Sequence, residues 1–196
     1  DRVELTSSPA AAPSGMCLTS RSQLVRFAPD APFVIIGERI NPTGKKVLTA
    51  QLQEGRFDEA FRFADEQLAA GAQVLDVNVG ASLVDEGKLL PELTRCLVER
   101  VPAPLSLDSS NADAIAAALP YCPGSCLVNS VSGESGRMEK LGPLCRDFGA
   151  PFILLPLKGA ELPVSAAERI AILEKLLREA EALRIPRRLM LVDILA

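Results

Sequence analysis

Short apolar segments alternate with longer amphipathic segments from Phe33 onward. The apolar segments cover residues 33–37, 73–80, 104–108, 126–131, 150–157 and 189–193. Their lengths are typical of strands that are buried on both faces of a sheet. The amphipathic segments predict helices over residues 57–71, 84–101, 111–122, 135–149 and 165–183. Strands and helices that alternate in this way predict parallel βαβ units and an α/β fold.

The turn after the first predicted strand decides between two α/β architectures. A doubly wound sheet that binds nucleotides usually has a GxGxxG turn at this point, whereas residues 37–46 read GERINPTGKK. A (β/α)8 barrel fits better, and such a barrel places its chemistry at the C-terminal ends of its strands. The chain contains six predicted units, so we expect a barrel that is truncated after about six strands.

The first 32 residues differ from the rest of the chain. The stretch SSPAAAPSG at 7–15 is rich in small residues and proline and has no hydrophobic periodicity, as is typical of a linker. We therefore predict that residues 1–32 form a linker or tail from an upstream domain. Residues 33–196 would form the barrel, which is incomplete at its C-terminus.

Composition narrows the classes of function. The net charge is −4 and there is no basic run, which argues against nucleic acid as the main partner. The apolar runs are too short to span a membrane. The chain has no histidine, which excludes Ser-His-Asp and Cys-His catalysis and zinc sites with histidine ligands. Its five cysteines form no CxxC motif, so we expect reduced thiols, a cytoplasmic location and no bound metal.

Polar residues are concentrated at the ends of the predicted strands. All four asparagines of the chain lie at or just past a strand end, and three aspartates lie within or at the end of apolar runs; they are Asn41, Asn78, Asn111, Asn129, Asp76, Asp108 and Asp193. A buried carboxylate or amide without partners costs roughly 1–3 kcal/mol or more. Amides and carboxylates on one rim of a barrel offer paired donors and acceptors. They suit a flat, nitrogen-rich heterocycle that has an NH–C–NH2 edge.

Four of these strand ends carry motifs of a known family. The segments GERINPTGKK at 37–46, LDVNVG at 75–80, LDSSN at 107–111 and VNSVSGE at 128–134 resemble the pterin-binding family. Within that family they are most similar to the folate-binding module of cobalamin-dependent methionine synthases and to corrinoid methyltetrahydrofolate methyltransferases. This resemblance implies a TIM barrel of the dihydropteroate-synthase-like type. Residues 18–27 are similar to the segment that joins a homocysteine-binding domain to the folate module, which implies such a domain upstream.

The resemblance also implies roles for individual residues. Asp108 and Asn129 would hold the pterin ring and act as the catalytic residues. Asp193 would bind the pyrimidine edge, although Ile194 follows it where the family has Pro or Cys. The remaining predicted binding residues would form the floor and rim of the pocket; they are Asp76, Asn78, Glu38 and Asn41.

The activity implied is methyl transfer from 5-methyltetrahydrofolate to cob(I)alamin, in methionine biosynthesis or a related pathway. The cobalamin would be carried by a partner domain or subunit, and the barrel would supply orientation and electrostatic stabilisation. Two alternatives remain: a dihydropteroate synthase-like pterin enzyme and an inactive pterin-binding fragment. Dihydropteroate synthases typically have Asn-x-Thr-x-Asp-Ser-Phe after the first strand and Ser-Thr-Arg-Pro-Gly after the second. The corresponding segments here, INPTGKK and NVGASLVDEG, do not match, which favours the methyltransferase interpretation.

Overall fold

The computed structural model describes residues 15–159 and 162–195, which contain eight strands and six α-helices. The strands are β1 (Met16–Thr19), β2 (Leu24–Phe27), β3 (Ile36–Ile40), β4 (Val74–Asn78), β5 (Leu105–Asp108), β6 (Leu127–Ser132), β7 (Phe152–Leu155) and β8 (Met190–Val192). The helices are α1 (Lys46–Gln53), α2 (Asp58–Ala69), α3 (Glu86–Arg100), α4 (Ala112–Ala118), α5 (Arg137–Phe148) and α6 (Ala166–Ala182). Two short 3-10 helices cover Leu119–Tyr121 and Arg187–Leu189.

Strands β3 to β8 form one parallel sheet in which the spatial order equals the chain order. Successive parallel strands with a helical connection between each pair are the βαβ units that the sequence predicts. This confirms the α/β class and the truncated barrel architecture. All the C-terminal strand ends therefore lie on one rim, where a barrel places its functional groups.

The main core lies between the sheet and the helices. Leu107 of β5 and Phe152 of β7 are fully buried, and so are Leu97 of α3 and Leu141 of α5. The aliphatic character of the strands places apolar side chains on both faces, so each strand contacts helices on one side and the barrel interior on the other. This packing fixes the backbone positions of the strand ends.

An antiparallel hairpin, β1–β2, lies within the segment that we predicted to be a linker. Leu18 and Val25 of the hairpin are buried against Val74 and Leu127, which lie at the N-terminal starts of β4 and β6. The linker prediction is therefore wrong for Met16–Thr19 and Leu24–Phe27, because alternate hairpin residues are apolar enough to cover the lower end of the sheet. Residues 1–14 lie outside the described residues, and an upstream domain remains a prediction.

The first sheet strand begins later than its apolar run predicts. Phe33 is 89% exposed, and parallel pairing starts only where Ile36 faces Val74. The strand begins at Ile36 and continues to Ile40, so it includes Glu38. Helix α1, which the hydrophobic pattern does not predict, follows in the connection to α2.

Two of the helices begin with a side-chain cap. The Asn111 side chain accepts hydrogen bonds from the backbone N–H groups of Asp113 and Ala114, at the start of α4. Ser165 forms a reciprocal capping box with Glu168 at the start of α6. Both interactions satisfy backbone donors that a helix start leaves unpaired. None of the helices in the described part of the chain combines the length and the apolar character that a membrane crossing requires.

The outer edge of β8 leads to a prediction about self-association. Val192 is 42% exposed and Ile194 is 69% exposed, and β8 pairs only with β7 among the described strands. An apolar unpaired edge recruits further strands, so the 196-residue polypeptide should form concentration-dependent oligomers. Val192→Lys puts a charge on that edge and should shift the mass in sedimentation velocity toward the monomer. Identical masses for both proteins at every concentration would contradict this expectation.

Candidate functional site

The upper ends of β4, β5 and β6 bring four polar side chains together. The strand register pairs Asn78 with Asp108 and Asp108 with Asn129. Asp76 lies two residues before Asn78 in the same strand, so both side chains face the same side of the sheet. We call this group, which consists of Asp76, Asn78, Asp108 and Asn129, the strand-end cluster.

Two hydrogen bonds cross between strands within the cluster. The Asn78 side-chain Nδ2 donates to Asp108 Oδ2 at 2.9 Å, and Asn129 Nδ2 donates to Asp76 Oδ1 at 3.2 Å. The orientation of the Asn78 amide is fixed further because its Oδ1 accepts from the Gly80 backbone N–H at 2.7 Å. Asn129 Oδ1 has no hydrogen-bond partner among the described residues, so it is available to a ligand.

The two carboxyl groups of the cluster have raised pKa values. Burial is the largest cause for Asp76, which is 6% exposed, and the neighbouring Asp108 charge adds to it; together they raise the pKa of Asp76 to about 7. Burial also raises the pKa of Asp108, while hydrogen bonds from Asn78 and Asp76 lower it. The shared proton therefore resides on Asp76, and Asp108 is the carboxyl group that accepts.

The cluster opens into a cleft of about 230 Å3 above β5, β6 and β7. Asp108 and Asn129 line the cleft, and Leu155 and Leu157 add apolar side chains to its lining. Arg137, at the start of α5, also lines the cleft although its side chain is buried. A cleft that is lined by both polar and apolar side chains suits a flat heterocycle that has a polar edge.

Comparison with known proteins identifies the family. Residues 37–191 match the pterin binding enzyme family, and this match covers most of the chain. The chain belongs to the pterin-binding enzyme family. The four motifs that suggested this family are located at the ends of β3 to β6, where the strand-end cluster lies.

Solved structures support the same fold. The chain is similar to the dihydropteroate synthase of Xanthomonas albilineans in complex with 7,8-dihydropteroate, with a TM-score of 0.61, 21% identity and coverage of 90% of this chain and 63% of that one. The 7,8-dihydropteroate synthase of Vibrio fischeri ES114 gives a TM-score of 0.63 at 15% identity, with 91% and 66% coverage. The corresponding enzyme of Yersinia pestis gives 0.63 at 20%, with 91% and 65% coverage. The chain thus spans slightly less than two thirds of the length of these proteins.

Three of the predicted pterin-binding residues make no hydrogen bond to the strand-end cluster among the described residues. Glu38 is exposed in β3, and the Asn41 side chain accepts from the Thr43 backbone N–H at 2.9 Å within the following turn. Asp193 is exposed just past β8, and its Oδ1 accepts from the Leu195 backbone N–H at 2.8 Å. No hydrogen bond joins any of the three to the cluster in the described part of the chain.

Sequence reasoning missed residues that form hydrogen bonds next to the cluster. The Ser109 hydroxyl donates to Glu86 of α3, and the same hydroxyl oxygen accepts from the Asn111 backbone N–H at 2.9 Å. Arg137 donates to three backbone carbonyls around the cleft. The one signal in the sequence was an arginine at the start of a predicted helix, where a positive charge is unfavourable for the helix dipole.

Proposed function

We propose that this chain binds the pterin ring of 5-methyltetrahydrofolate and takes part in transferring its methyl group to cob(I)alamin. The observation that carries the proposal is the strand-end cluster, whose two carboxylates and two amides converge beside the cleft within motifs that resemble folate-dependent methyltransferases. The chain would then be a folate module of a larger, cytoplasmic protein that also contains or binds a corrinoid-carrying unit.

The charge state of the cluster supports pterin binding. The pyrimidine edge of a pterin presents adjacent N–H donors, and an ionised carboxylate accepts two hydrogen bonds from such an edge. Asp108 is half-buried and lines the cleft, so it can accept from the ring while Asn78 holds its other side. Asp76, which is deeper, would form the floor.

The cluster also suits methyl transfer from a tertiary amine. That nitrogen is a poor leaving group until it is protonated or hydrogen-bonded, so the protein must stabilise positive charge as it develops. The free Oδ1 of Asn129 and the negative charge at Asp108 are available for this role. The bound corrinoid supplies the cobalt that accepts the methyl group, and no residue of this chain has to be a nucleophile, in agreement with the absence of histidine.

Dihydropteroate synthesis is the second candidate function. The similarity to three dihydropteroate synthases favours it, and the pterin pocket would serve both reactions. At these identities the similarity concerns the fold, whereas the segments after β3 and β4 differ from the dihydropteroate synthase motifs.

One pair of assays separates the candidates. The full-length gene product is incubated with 5-methyltetrahydrofolate and cob(I)alamin, and methylcobalamin is followed by its absorbance. In parallel, formation of 7,8-dihydropteroate is assayed. Methylcobalamin alone supports our proposal, and 7,8-dihydropteroate alone supports the second candidate. Pterin binding without either product would identify an inactive pterin-binding module.

The binding role of Asp108 gives a direct prediction. Asp108→Asn should weaken methyltetrahydrofolate binding by roughly 1.5–3 kcal/mol, the range for hydrogen bonds to charged groups. The fold should be retained because strand packing is unaffected, and titration calorimetry measures the affinity. Asp113→Asn, an exposed aspartate that pairs with Lys140, is the matched control. Unchanged affinity of Asp108→Asn would remove this residue from the site.

A further inference from the structure

Arg137 is a buried cation that is held entirely by backbone oxygens. Its Nε donates to the Ser130 carbonyl at 2.7 Å, while its two terminal nitrogens donate to the carbonyls of Ser110 at 2.6 Å and Ser109 at 2.7 Å. The residue is only 8% exposed. No carboxylate lies within ion-pair distance of it among the described residues. Such an arrangement costs desolvation energy, so it requires a compensating role.

The three carbonyls belong to the two segments that carry the cleft-facing side chains. Ser109 and Ser110 follow Asp108 directly, and Ser130 follows Asn129 directly. The guanidinium therefore bridges the end of β5 and the middle of β6, one residue away from each functional group. A second contact in the same place, from the Ser109 backbone N–H to the Asn129 carbonyl at 3.1 Å, ties the segments together.

This bridge depends on the shape of arginine as well as its charge. A planar guanidinium presents several N–H groups in fixed directions and can reach three carbonyls at once, whereas a lysine ammonium is a single point charge on a flexible chain. Replacement by lysine would keep the charge but lose the geometry. The two contributions can therefore be separated by experiment.

The charge of Arg137 also acts on Asp108. The charged groups that face Asp108 are Asp76 of β4, Glu86 of α3 and Arg137 of α5; Glu134, which precedes α5, faces Arg137. Arg137 is the one cation in this set, and it lowers the pKa of Asp108 against the effect of burial and of Glu86. Burial lowers the pKa of Arg137 itself, while Glu134 and Asp108 raise it.

We infer that Arg137 is a positioning residue of the pterin site: it sets the spacing of Asp108 and Asn129 through three backbone carbonyls and places a positive charge beside the Asp108 carboxyl group. This inference rests on the proposed function for its kinetic consequence. Its structural part, the effect on Asp108 and Asn129, stands without a ligand. Arg137 touches neither the ring nor the methyl group in this role.

Two variants test the inference in the full-length gene product. Arg137→Gln removes charge and geometry, and should lower kcat/KM for methyl transfer by about 100-fold, as expected when reacting groups shift by about 1 Å. It should also move the acid limb of the pH profile to higher pH, because Asp108 then protonates more readily. Arg137→Lys should have the pH profile of the wild type but the lowered rate of Arg137→Gln. A purely structural role would change the rate in both variants without this difference in their pH profiles.

A ligand-free measurement makes the test independent of the proposed function. The carboxyl 13C resonance of Asp108 is titrated by NMR in the wild type and in both variants, and thermal melts show that each variant is folded. The pH midpoint of the Asp108 titration should be higher in Arg137→Gln than in the wild type, and it should be close to the wild-type value in Arg137→Lys. Arg146→Gln is the matched control, since this exposed arginine of the same helix also donates to a backbone carbonyl, that of Leu183.

The outcomes are distinct. An unchanged Asp108 midpoint in folded Arg137→Gln would overturn the inference, whatever the ligand. A shifted midpoint together with a wild type that neither binds a pterin nor transfers a methyl group would uphold the positioning role and overturn the proposed function.

Discussion

Replacing Asp76 by asparagine is expected to remove most of a large pH dependence from the free energy of unfolding. The pKa of Asp76 is about 7 in the folded protein, against an ordinary value of 3.8. The folded state therefore binds this proton more tightly than the unfolded chain does. The difference corresponds to about 4 kcal/mol, taken as an order of magnitude.

The sign follows from the direction of the shift. The stabilisation from protonated Asp76 is complete below about pH 4 and is lost as the pH rises through about 7. In Asp76→Asn the amide stays neutral at every pH, and it can still accept from Asn129 and donate to Asp108. The variant should therefore match the wild type near pH 4 and exceed its stability by up to about 4 kcal/mol at pH 8.

Urea unfolding at several pH values checks this expectation. Asp147→Asn serves as a control, because Asp147 is an exposed aspartate that pairs with Arg146 at 2.9 Å. The Asp147→Asn curve provides the reference for the loss of one exposed carboxyl group outside the strand-end cluster. Parallel stability curves for wild type and Asp76→Asn would show that Asp76 is ionised in the folded protein at neutral pH.

The order of the sheet and the location of its rim could be predicted because both follow from local patterns. Six apolar segments separated by amphipathic ones leave few topologies open, and parallel strands place all their C-terminal ends on one side. The hairpin β1–β2 could not be predicted in this way. Its strands lie outside the alternation of apolar and amphipathic segments that begins at Phe33, and burial of Leu18 depends on a contact with Leu127 that is remote in sequence.

The same distinction applies within the candidate site. Asp76, Asn78, Asp108 and Asn129 come together because neighbouring strands carry them at paired positions, so their sequence positions were sufficient. The role of Arg137 could not be predicted from its place at the start of a helix alone, because its partners are backbone carbonyls from two segments whose spacing only the folded structure defines. Prediction from sequence located the side chains of the strand-end cluster and missed Arg137, which donates to the backbone next to them.

Asn129→Ala is expected to lower the rate of methyl transfer by roughly 10²–10³-fold, the effect of removing one preorganised polar group from a developing charge. The Asn129 Nδ2 is held by Asp76 at 3.2 Å, so its Oδ1 points away from that contact and has no partner among the described residues. A proton taken up from solvent binds the pterin nitrogen before the methyl group leaves, and the amide oxygen of Asn129 can accept a hydrogen bond from the N–H that this forms. This interaction is stronger in the transition state than in the ground state, so it should appear mainly in kcat.

Single-turnover methyl transfer to cob(I)alamin and titration calorimetry of methyltetrahydrofolate, both on the full-length gene product, separate these two effects. The affinity of Asn129→Ala should fall by only about 1 kcal/mol, the net contribution of a neutral hydrogen bond. Asn111→Ser is the control, because it keeps a capping oxygen at the start of α4 and should transfer the methyl group at the wild-type rate.

Equal losses in rate and affinity for Asn129→Ala would mean that Asn129 only binds the ring. An unchanged rate would remove it from the reaction, since no other amide of the cluster has a free oxygen: Asn78 Oδ1 is already occupied by the Gly80 N–H.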